Sequence, residues 1–271
     1  MTERAGEDRV TRSTTGERRL LGVAGILLPL ALWEAIPWVI TLPKGIRLFF
    51  ATPSQTSLAL GRLIATGEFQ RHFAVSAAEF LLGLGLAVAF GLPLGTLLGR
   101  SRTLDALLDP YVTALNATPR IVWLPLLILW CGVGIWSKVM IVFIGALFPL
   151  LINTYEGVRA VDRVLVNVVR SFGAGEWQVM RVVVLPYAVP FIVAGLRLAI
   201  GRAVLGVVVG EFFGASRGLG YLIASAASNY QVDVMFAGVL VFMGLSLLLS
   251  LSVKSLEARL IRWRPEATKA F

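Results

Sequence analysis

Two arginines lie inside an otherwise apolar stretch in the C-terminal third of the chain. In apolar surroundings a charge acts strongly on a nearby ligand. Arg197 and Arg202 belong to the stretch 187–213, in which the only other charged residue is Glu211. A charged side chain in such surroundings is costly unless it lines a water-filled cavity or finds a partner. The two arginines could lower the barrier for a passing anion, or they could pair with Glu79 or Glu211 and fix the packing of helices. Both interpretations remain open from the sequence, and the spacing of five predicts that the two arginines lie on different helix faces.

Other residue types that support catalysis or metal binding are scarce. The chain has one histidine, His72, which we expect at the surface, and one cysteine, Cys131, so neither an internal disulfide nor a multi-histidine metal site can form. No Gly-Lys pair occurs anywhere, which excludes the G-x-x-x-x-G-K-[ST] phosphate loop. The sequence therefore predicts no catalytic residue, no metal ligand and no cofactor bound by this chain.

The composition indicates a membrane protein. Of the 271 residues, 57% are hydrophobic and 15% charged, and the mean hydropathy is +0.80. A soluble domain carries about 25% charged residues. The net charge of +9 could indicate nucleic-acid binding, but the arginines fall between apolar stretches, as charges that orient membrane helices do. We therefore expect a bilayer partner and no nucleic acid.

Apolar stretches long enough to cross a bilayer, about 20 residues each, predict an all-α bundle of about six transmembrane helices. The predicted spans are 20–40, 73–99, 112–133, 137–155, 187–213 and 233–256. They lie in one membrane domain over 20–265, between a disordered cytosolic tail at 1–19 and a short cytosolic tail at 266–271. The pieces assigned to the N-terminal side of the membrane, which are taken to include Arg100, Arg102 and Arg120, carry about threefold more Lys and Arg than the others. This bias predicts both termini in the cytosol.

A polar segment interrupts the spans and, in this topology, faces the cytosol. From Val161 to Phe172 apolar residues recur at helical spacing, which predicts an amphipathic helix. Gly173 can take the left-handed conformation that ends a helix. A second short helix can begin near Glu176, and Pro186 is expected to bend or restart the chain as it enters the membrane. An interfacial helix lying on the headgroups is the alternative, but two helices joined by a turn favour a protruding knob.

This segment resembles the cytosolic signature of permease subunits in binding-protein-dependent ABC importers. That signature reads E-A-A, three residues, Gly, nine residues, Ile-x-Leu-Pro. Gly173, Leu185 and Pro186 match it, Val183 stands for the Ile, and 167–169 (N-V-V) replaces E-A-A without its acidic residue.

Further matches are similar to the nitrate/sulfonate/taurine branch of these permeases and extend the resemblance over about residues 20–265. They are T-P-S at 52–54, P-R-I-V-W-L-P-L-L-I-L-W-C-G at 119–132, L-F-P-L-L-I-N-T at 147–154, V-R-S-F-G at 169–173 and G-L-G-Y-L at 218–222. The resemblance implies a type I ABC importer permease-like fold in a bacterial cell membrane.

The resemblance also implies a mechanism and partners. Segment 160–187 would couple the permease to a cytosolic ATPase, and the implied coupling residues are Asn167, Arg170, Ser171, Phe172, Gly173, Ala174, Gly175, Glu176, Leu185 and Pro186. Candidate residues of the translocation path are Arg197, Arg202, Glu211 and Glu79. The partners would be a second permease copy, two ATP-binding subunits that use ATP and Mg, and an extracytoplasmic substrate-binding protein. The solute would be a small anion such as a sulfonate, taurine or a nitrate-like ion.

The sequence agrees less well with two other classes of protein. A membrane-embedded enzyme would need clustered aspartates or a Ser-His or paired-Asp arrangement, whereas the acidic residues here are scattered and the one histidine is isolated. An ion-coupled secondary transporter of a small anion is the nearer alternative. Such folds carry internal repeats, and no two-half repeat is visible in the sequence.

Overall fold

The computed structural model describes residues 15–39, 43 and 49–261, and in this part of the chain all regular structure is helical. Residues 1–14 and 262–271 lie outside the described part, and with them most of the predicted N-terminal tail and all of the predicted tail at 266–271. The helices are α1 (Thr15–Val39), α2 (Pro53–Ala65), α3 (Glu68–Arg100), α4 (Arg102–Ala117), α5 (Trp123–Cys131), α6 (Ile135–Arg159), α7 (Arg163–Ser171), α8 (Glu176–Val179), α9 (Leu185–Phe212), α10 (Leu219–Ser228) and α11 (Val232–Leu260). A 3-10 turn at Arg120–Val122 precedes α5, and a π-helical turn at Met180–Val184 joins α8 to α9.

Four of the predicted spans are long apolar helices. They are α3, α6, the continuous helix Glu176–Phe212 and α11. The span predicted at 112–133 is different, because α4 and the segment Arg120–Cys131 meet at 89°. Pro119 explains the break, since it disfavours helix at Thr118, which is extended at φ −68° and ψ 127°. The first predicted span, 20–40, coincides with α1, and the total of six spans remains a prediction.

Helix α6 lies at the centre of the bundle and packs most extensively against α3 and α9. Glycines permit the close approach. A Cβ added at Gly95 would lie 2.5 Å from the carbonyl oxygen of Leu151, and one at Gly206 would lie 3.0 Å from the Cα of Val142. Small residues of α3 thus allow helix α6 to approach closely at Gly95, whereas Gly85 has open space beside it.

The buried core between these three helices is made of small and branched apolar side chains. Its members are Ala87, Leu127, Ile141, Val142, Ala146, Leu150, Ala199, Ala203 and Val207. Helix α11, in contrast, exposes large apolar residues along its length, with Leu247 at 60% and Leu248 at 62%. That distribution is typical of a helix at the lipid-facing periphery of a membrane bundle.

The T-P-S motif forms a helix start that is tied to α1. Thr52 caps α2 in a reciprocal capping box with Gln55. The backbone N–H of Ser54 donates to Glu34 at 2.9 Å, and its hydroxyl donates to the same carboxylate at 2.7 Å. Glu34 therefore anchors α2 to α1.

Candidate functional site

The polar segment after α6 folds as the predicted hairpin of two helices, which we call the coupling hairpin (residues 162–184). Asp162 caps α7 by accepting a hydrogen bond from the N–H of Val164 at 2.8 Å. Gly173 follows the helix with φ +80°. The N–H of Gly173 donates to the carbonyl of Arg170 and the N–H of Ala174 donates to that of Val169, which is the Schellman arrangement. The predicted left-handed helix end at Gly173 is confirmed.

The second half of the hairpin differs from the prediction, because it does not end before the membrane. Helix α8 begins at Glu176 and runs through the π-helical turn 180–184 into α9 as one continuous helix to Phe212. Pro186 lies in the first turn of α9 and Pro190 inside it. The wider π turn lies directly before Pro186, where a proline ring would otherwise clash with the carbonyl four residues earlier. A displacement of the hairpin therefore acts directly on α9.

Glu176 holds the hairpin against the rest of the bundle. One of its carboxylate oxygens accepts from Arg170 at 2.7 Å, and the other accepts from Arg100, the last residue of α3. A second ion pair, Arg159 to Asp105 at 2.7 Å, joins α6 to α4 at the same end of the bundle. We call this end the hairpin end and the opposite one, near Lys138 and Gly214, the loop end.

The apolar stripe predicted from Val161 to Phe172 is divided between two faces. Val161 and Val169 pack inward against the cluster of Val158, Val179, Met180, Val184 and Ala188. The remaining members, Val164, Leu165, Val168 and Phe172, are exposed, and Phe172 reaches 87%. Trp177 beside them is 72% exposed. The hairpin thus presents an apolar tip that nothing in the described part of the chain covers.

The other residues predicted for coupling are distributed around this tip. Asn167, Ser171, Gly175 and Pro186 are exposed, whereas Ala174 and Leu185 pack partly against the inward cluster. Asn167, at the position of the missing acid, lies on the exposed side of α7.

Arg197 has a partner that the sequence did not predict. Its guanidinium forms an ion pair with Glu257 near the end of α11, and not with Glu79 or Glu211. This contact joins α9 to α11 and explains how the charge is accommodated. The expectation that Arg197 pairs with Glu79 or Glu211 is therefore wrong.

Arg202 points to a different face of α9, as the spacing predicted. Its backbone carbonyl lies 3.3 Å from an ideal Cβ at Gly145, and the Cδ of Arg120 lies 3.6 Å from the same point. Arg120 and Arg202 are thus neighbours beside Gly145. Within residues 15–39 and 49–261 neither forms an ion pair. Sequence reasoning had counted Arg120 among the cytosolic charges, and only the break after Thr118 brings it to α6.

Glu79 and Glu211 lie together in a buried polar cluster at the loop end. Their exposed fractions are 2% and 1%. The hydroxyl of Ser76 donates a hydrogen bond to the carboxylate of Glu211 at 2.5 Å, and Glu211 also accepts from the N–H of Gly220 at 2.5 Å. Lys138, 2% exposed, donates to the carbonyl of Gly214 at 2.5 Å. The contacts of Glu211 and Lys138 fix the loop between α9 and α10, whereas Glu79 is buried with one carboxylate oxygen that has no hydrogen-bond partner among the described residues.

His72 also lies at the loop end of the bundle and is mostly buried there, although the sequence predicted a surface residue. Its side chain is 12% exposed, and its Nδ1 accepts a hydrogen bond from the N–H of Gly218 at 3.0 Å. The G-L-G-Y-L motif explains this contact, because Gly218 has φ +126° and begins α10. The G-L-G-Y-L motif was visible in the sequence, but its contact with His72 in α3 was not.

Metal-binding clusters of three or more His, Cys, Asp or Glu side chains are not found among the described residues. The arrangement instead combines a protruding apolar tip, a continuous helix leading from it, and two neighbouring arginines beside α6. These features suit the movement of a membrane bundle by an external protein.

Comparisons with known proteins agree with this arrangement. Residues 91–262 match the family described as "Binding-protein-dependent transport system inner membrane component". The chain is 36% identical to SsuC of Bacillus subtilis, which is named for aliphatic sulfonate transport, over 93% of this chain and 92% of that protein. It is 31% identical to the taurine transport system permease protein TauC of Escherichia coli, over 91% of this chain and 90% of the relative.

Among solved structures, a chain of the MetNI methionine ABC transporter has the same fold. The TM-score is 0.62 at 20% sequence identity, and the match covers 69% of this chain and 93% of that one. The fold is therefore the all-helical, type I ABC importer permease-like fold that the sequence predicted.

Proposed function

Because the chain belongs to the family of binding-protein-dependent transport system inner membrane components, we propose that it forms the translocation path for a small sulfonate-type anion. The chain is a multi-pass membrane permease subunit of an ABC importer. Relatives named for aliphatic sulfonates and taurine support the substrate class. Arg202 of α9, which forms no ion pair within the described residues, agrees with an anionic solute.

The observation that carries the proposal is the exposed apolar tip of the coupling hairpin. Phe172 and Trp177 are 87% and 72% exposed on a segment anchored at Glu176 to α3 and continuous with α9. An exposed aromatic pair on a segment that is held rigidly from behind is suited to bind another protein, since aromatic residues dominate the binding energy at protein interfaces. We assign this tip to the groove of a cytosolic ATPase.

Force would then travel along a single helix. Closure of two ATPases around ATP and Mg would move two coupling hairpins, and each hairpin would move α9 against α6. The proposed assembly contains two copies of this chain, two ATPases and an extracytoplasmic binding protein at the loop end. Both termini lie in the cytosol in this arrangement, and this chain contributes no catalytic group.

Among the path candidates, Arg202 is the one whose surroundings suit contact with a solute. Arg197 is occupied by Glu257, and Glu79 and Glu211 are buried in the cluster of the loop end. We therefore keep Arg202 as the path residue and assign structural roles to the other three.

A cross-linking experiment tests the coupling role. In a Cys131→Ser background, Ser171→Cys lies at the hairpin tip and Ser228→Cys lies at the C-terminal end of α10, and both serines are exposed. We expect the first cysteine to cross-link to the co-expressed ATPase of the same importer, in a manner that changes with ATP, and the second not to. Absence of the Ser171→Cys product in complexes that still hydrolyse ATP would reject the assignment.

An uptake experiment separates this proposal from an ion-coupled secondary transporter. Uptake of labelled taurine or ethanesulfonate should persist when an uncoupler collapses the proton gradient while ATP is maintained. Loss of uptake under those conditions would favour the ion-coupled alternative.

A further inference from the structure

The neighbouring arginines 120 and 202 occupy the middle depth of the bundle. Gly145, which both of them approach, lies about 15 Å along α6 from its first residue, and Arg202 lies about 15 Å from the last residue of α9. These distances correspond to half of a hydrocarbon core of about 30 Å. The side chain of Arg120 and the backbone of Arg202 therefore lie far from both membrane surfaces.

The face of α9 that carries Arg202 cannot be a lipid-facing surface. Leu198 and Leu205, one turn before and one turn after Arg202, are 55% and 57% exposed on the single chain, and Arg202 is exposed with them. A charged side chain at this depth is costly in lipid, and such residues almost always face a water-filled cavity or the interior of an assembly. An aqueous path enclosed by a second copy satisfies that requirement.

Two adjacent cations without a counter-ion need a further explanation. The Cδ of Arg120 and the backbone carbonyl of Arg202 lie 3.6 Å and 3.3 Å from the same point beside Gly145, and neither arginine has a carboxylate partner in the described ranges. By contrast, Arg197, Arg159 and Arg100 all have one. Arg120 also stands at the break between α4 and α5, and irregular backbone at membrane depth is tolerated where it lines a cavity.

We propose that Arg120 and Arg202 together form an anion-binding site halfway along the translocation path, which holds the sulfonate or other oxyanion head of the solute. Guanidinium groups suit this ligand because their planar set of N–H donors matches the oxygens of an oxyanion. The site rests on the proposed function for its place in a transport path. Its positive potential, however, can be measured without any transport.

The first experiment measures that potential with thiol reagents of opposite charge. Gly201 precedes Arg202, and a Cβ added there meets nothing within 4 Å, so Gly201→Cys in a Cys131→Ser background reports on the site. The assembled importer is treated with anionic sulfonatoethyl methanethiosulfonate and with cationic trimethylammonioethyl methanethiosulfonate. The rate of modification by the anionic reagent is divided by the rate with the cationic reagent. This ratio is then corrected for the intrinsic reactivity of the reagents by dividing it by the same ratio for free cysteine.

The expected ratio follows from the two charges. At low ionic strength, a unit charge about 7 Å away in water favours the anionic over the cationic reagent by about sevenfold. Two arginines should therefore give a corrected ratio above about tenfold. Arg120→Gln with Arg202→Gln should return the ratio to about one, whereas the two Arg→Lys changes should preserve it.

A ratio near one with both arginines present would overturn the site, and so would a thiol that neither reagent reaches. If the glutamine variants fail to assemble, the ratio measured with both arginines intact still decides.

The second experiment measures uptake of labelled ethanesulfonate. Arg120→Gln and Arg202→Gln should each lower kcat/KM by at least about tenfold, because each removes a charge-assisted contact. Arg62→Gln is the matched control, since Arg62 is 65% exposed and pairs with Asp233 at the surface. Unchanged uptake in both glutamine variants would overturn the site. A high reagent ratio in a wild-type complex that takes up no sulfonate or taurine would reject the proposed function and leave the anion site standing.

Discussion

Replacement of Phe172 by alanine should weaken the binding of the ATPase without destabilising the permease. Phe172 is 87% exposed at the tip of the coupling hairpin, so its removal leaves no cavity within the described chain. The variant therefore separates docking from folding.

The size of the effect can be worked out from the exposed area. An aromatic side chain buries about 150–250 Å², and at about 25 cal/mol per Å² full burial of the exposed part would give about 3–5 kcal/mol. Ordering of the interface and the area retained by alanine reduce this value to about 2–3 kcal/mol. Since 1.4 kcal/mol corresponds to a factor of ten, Phe172→Ala should raise the Kd for the ATPase by about 30-fold to 150-fold.

The assay is a titration of the purified ATPase onto the permease in lipid nanodiscs, with the melting temperature of the permease recorded for each variant. Phe213→Ala is the matched control, because Phe213 is a phenylalanine 57% exposed at the loop end. We expect the control to bind as the wild type does. A Kd for Phe172→Ala within twofold of the wild-type value would refute the assignment of the tip as the docking surface.

Two further predictions concern the hairpin turn and the helix contact of Arg197. Gly173→Ala should destabilise the hairpin by about 1–2 kcal/mol because φ is +80° there, whereas Gly175→Ala, at φ −74°, should have little effect. The measurement is amide hydrogen exchange over residues 163–173, which should become faster in Gly173→Ala only. Equal exchange rates in the two variants would contradict the reasoning. Arg197→Gln and Glu257→Gln should each lower the melting temperature, and the double variant should be no less stable than either single one, with a coupling energy of about 1 kcal/mol or more. Additive effects in this double-mutant cycle would show that the ion pair contributes nothing, and a loss of uptake per folded subunit in Arg197→Gln alone would restore Arg197 as a path residue.

The hairpin was predictable in large part because its signals are local. A stripe at helical spacing, a glycine that can end a helix and an acid at the next helix start are properties of neighbouring residues. The division of that stripe into an inward and an outward face was not predictable, since it depends on where α6 and α9 lie. The continuity of α8 with α9 was also missed, because Pro186 and Pro190 suggested an interruption and the π turn that accommodates Pro186 has no clear sequence signal.

The partners of buried charges were the weakest part of the sequence reasoning. The sequence offers only Glu79 and Glu211 as partners for Arg197, it predicts His72 at the surface, and it places Arg120 among the flanking charges. In each case the correct neighbour is far away in the chain, as with Glu257, Gly218 and Gly145. Hydropathy reports whether a residue enters the membrane but carries no information on which helix it meets.

Sequence alone determined that this chain is a helical membrane protein with a protruding hairpin and no visible means of using ATP. Those conclusions depend on composition, on the length of apolar stretches and on residues close together in the chain, all of which act through the bilayer or the local backbone. Only the tertiary structure decided which charges have ion-pair partners among the described residues and which have none. That outcome depends on the angle of the break after Thr118 and on the glycine contacts of α6, because these set which side chains from distant segments meet at the same depth.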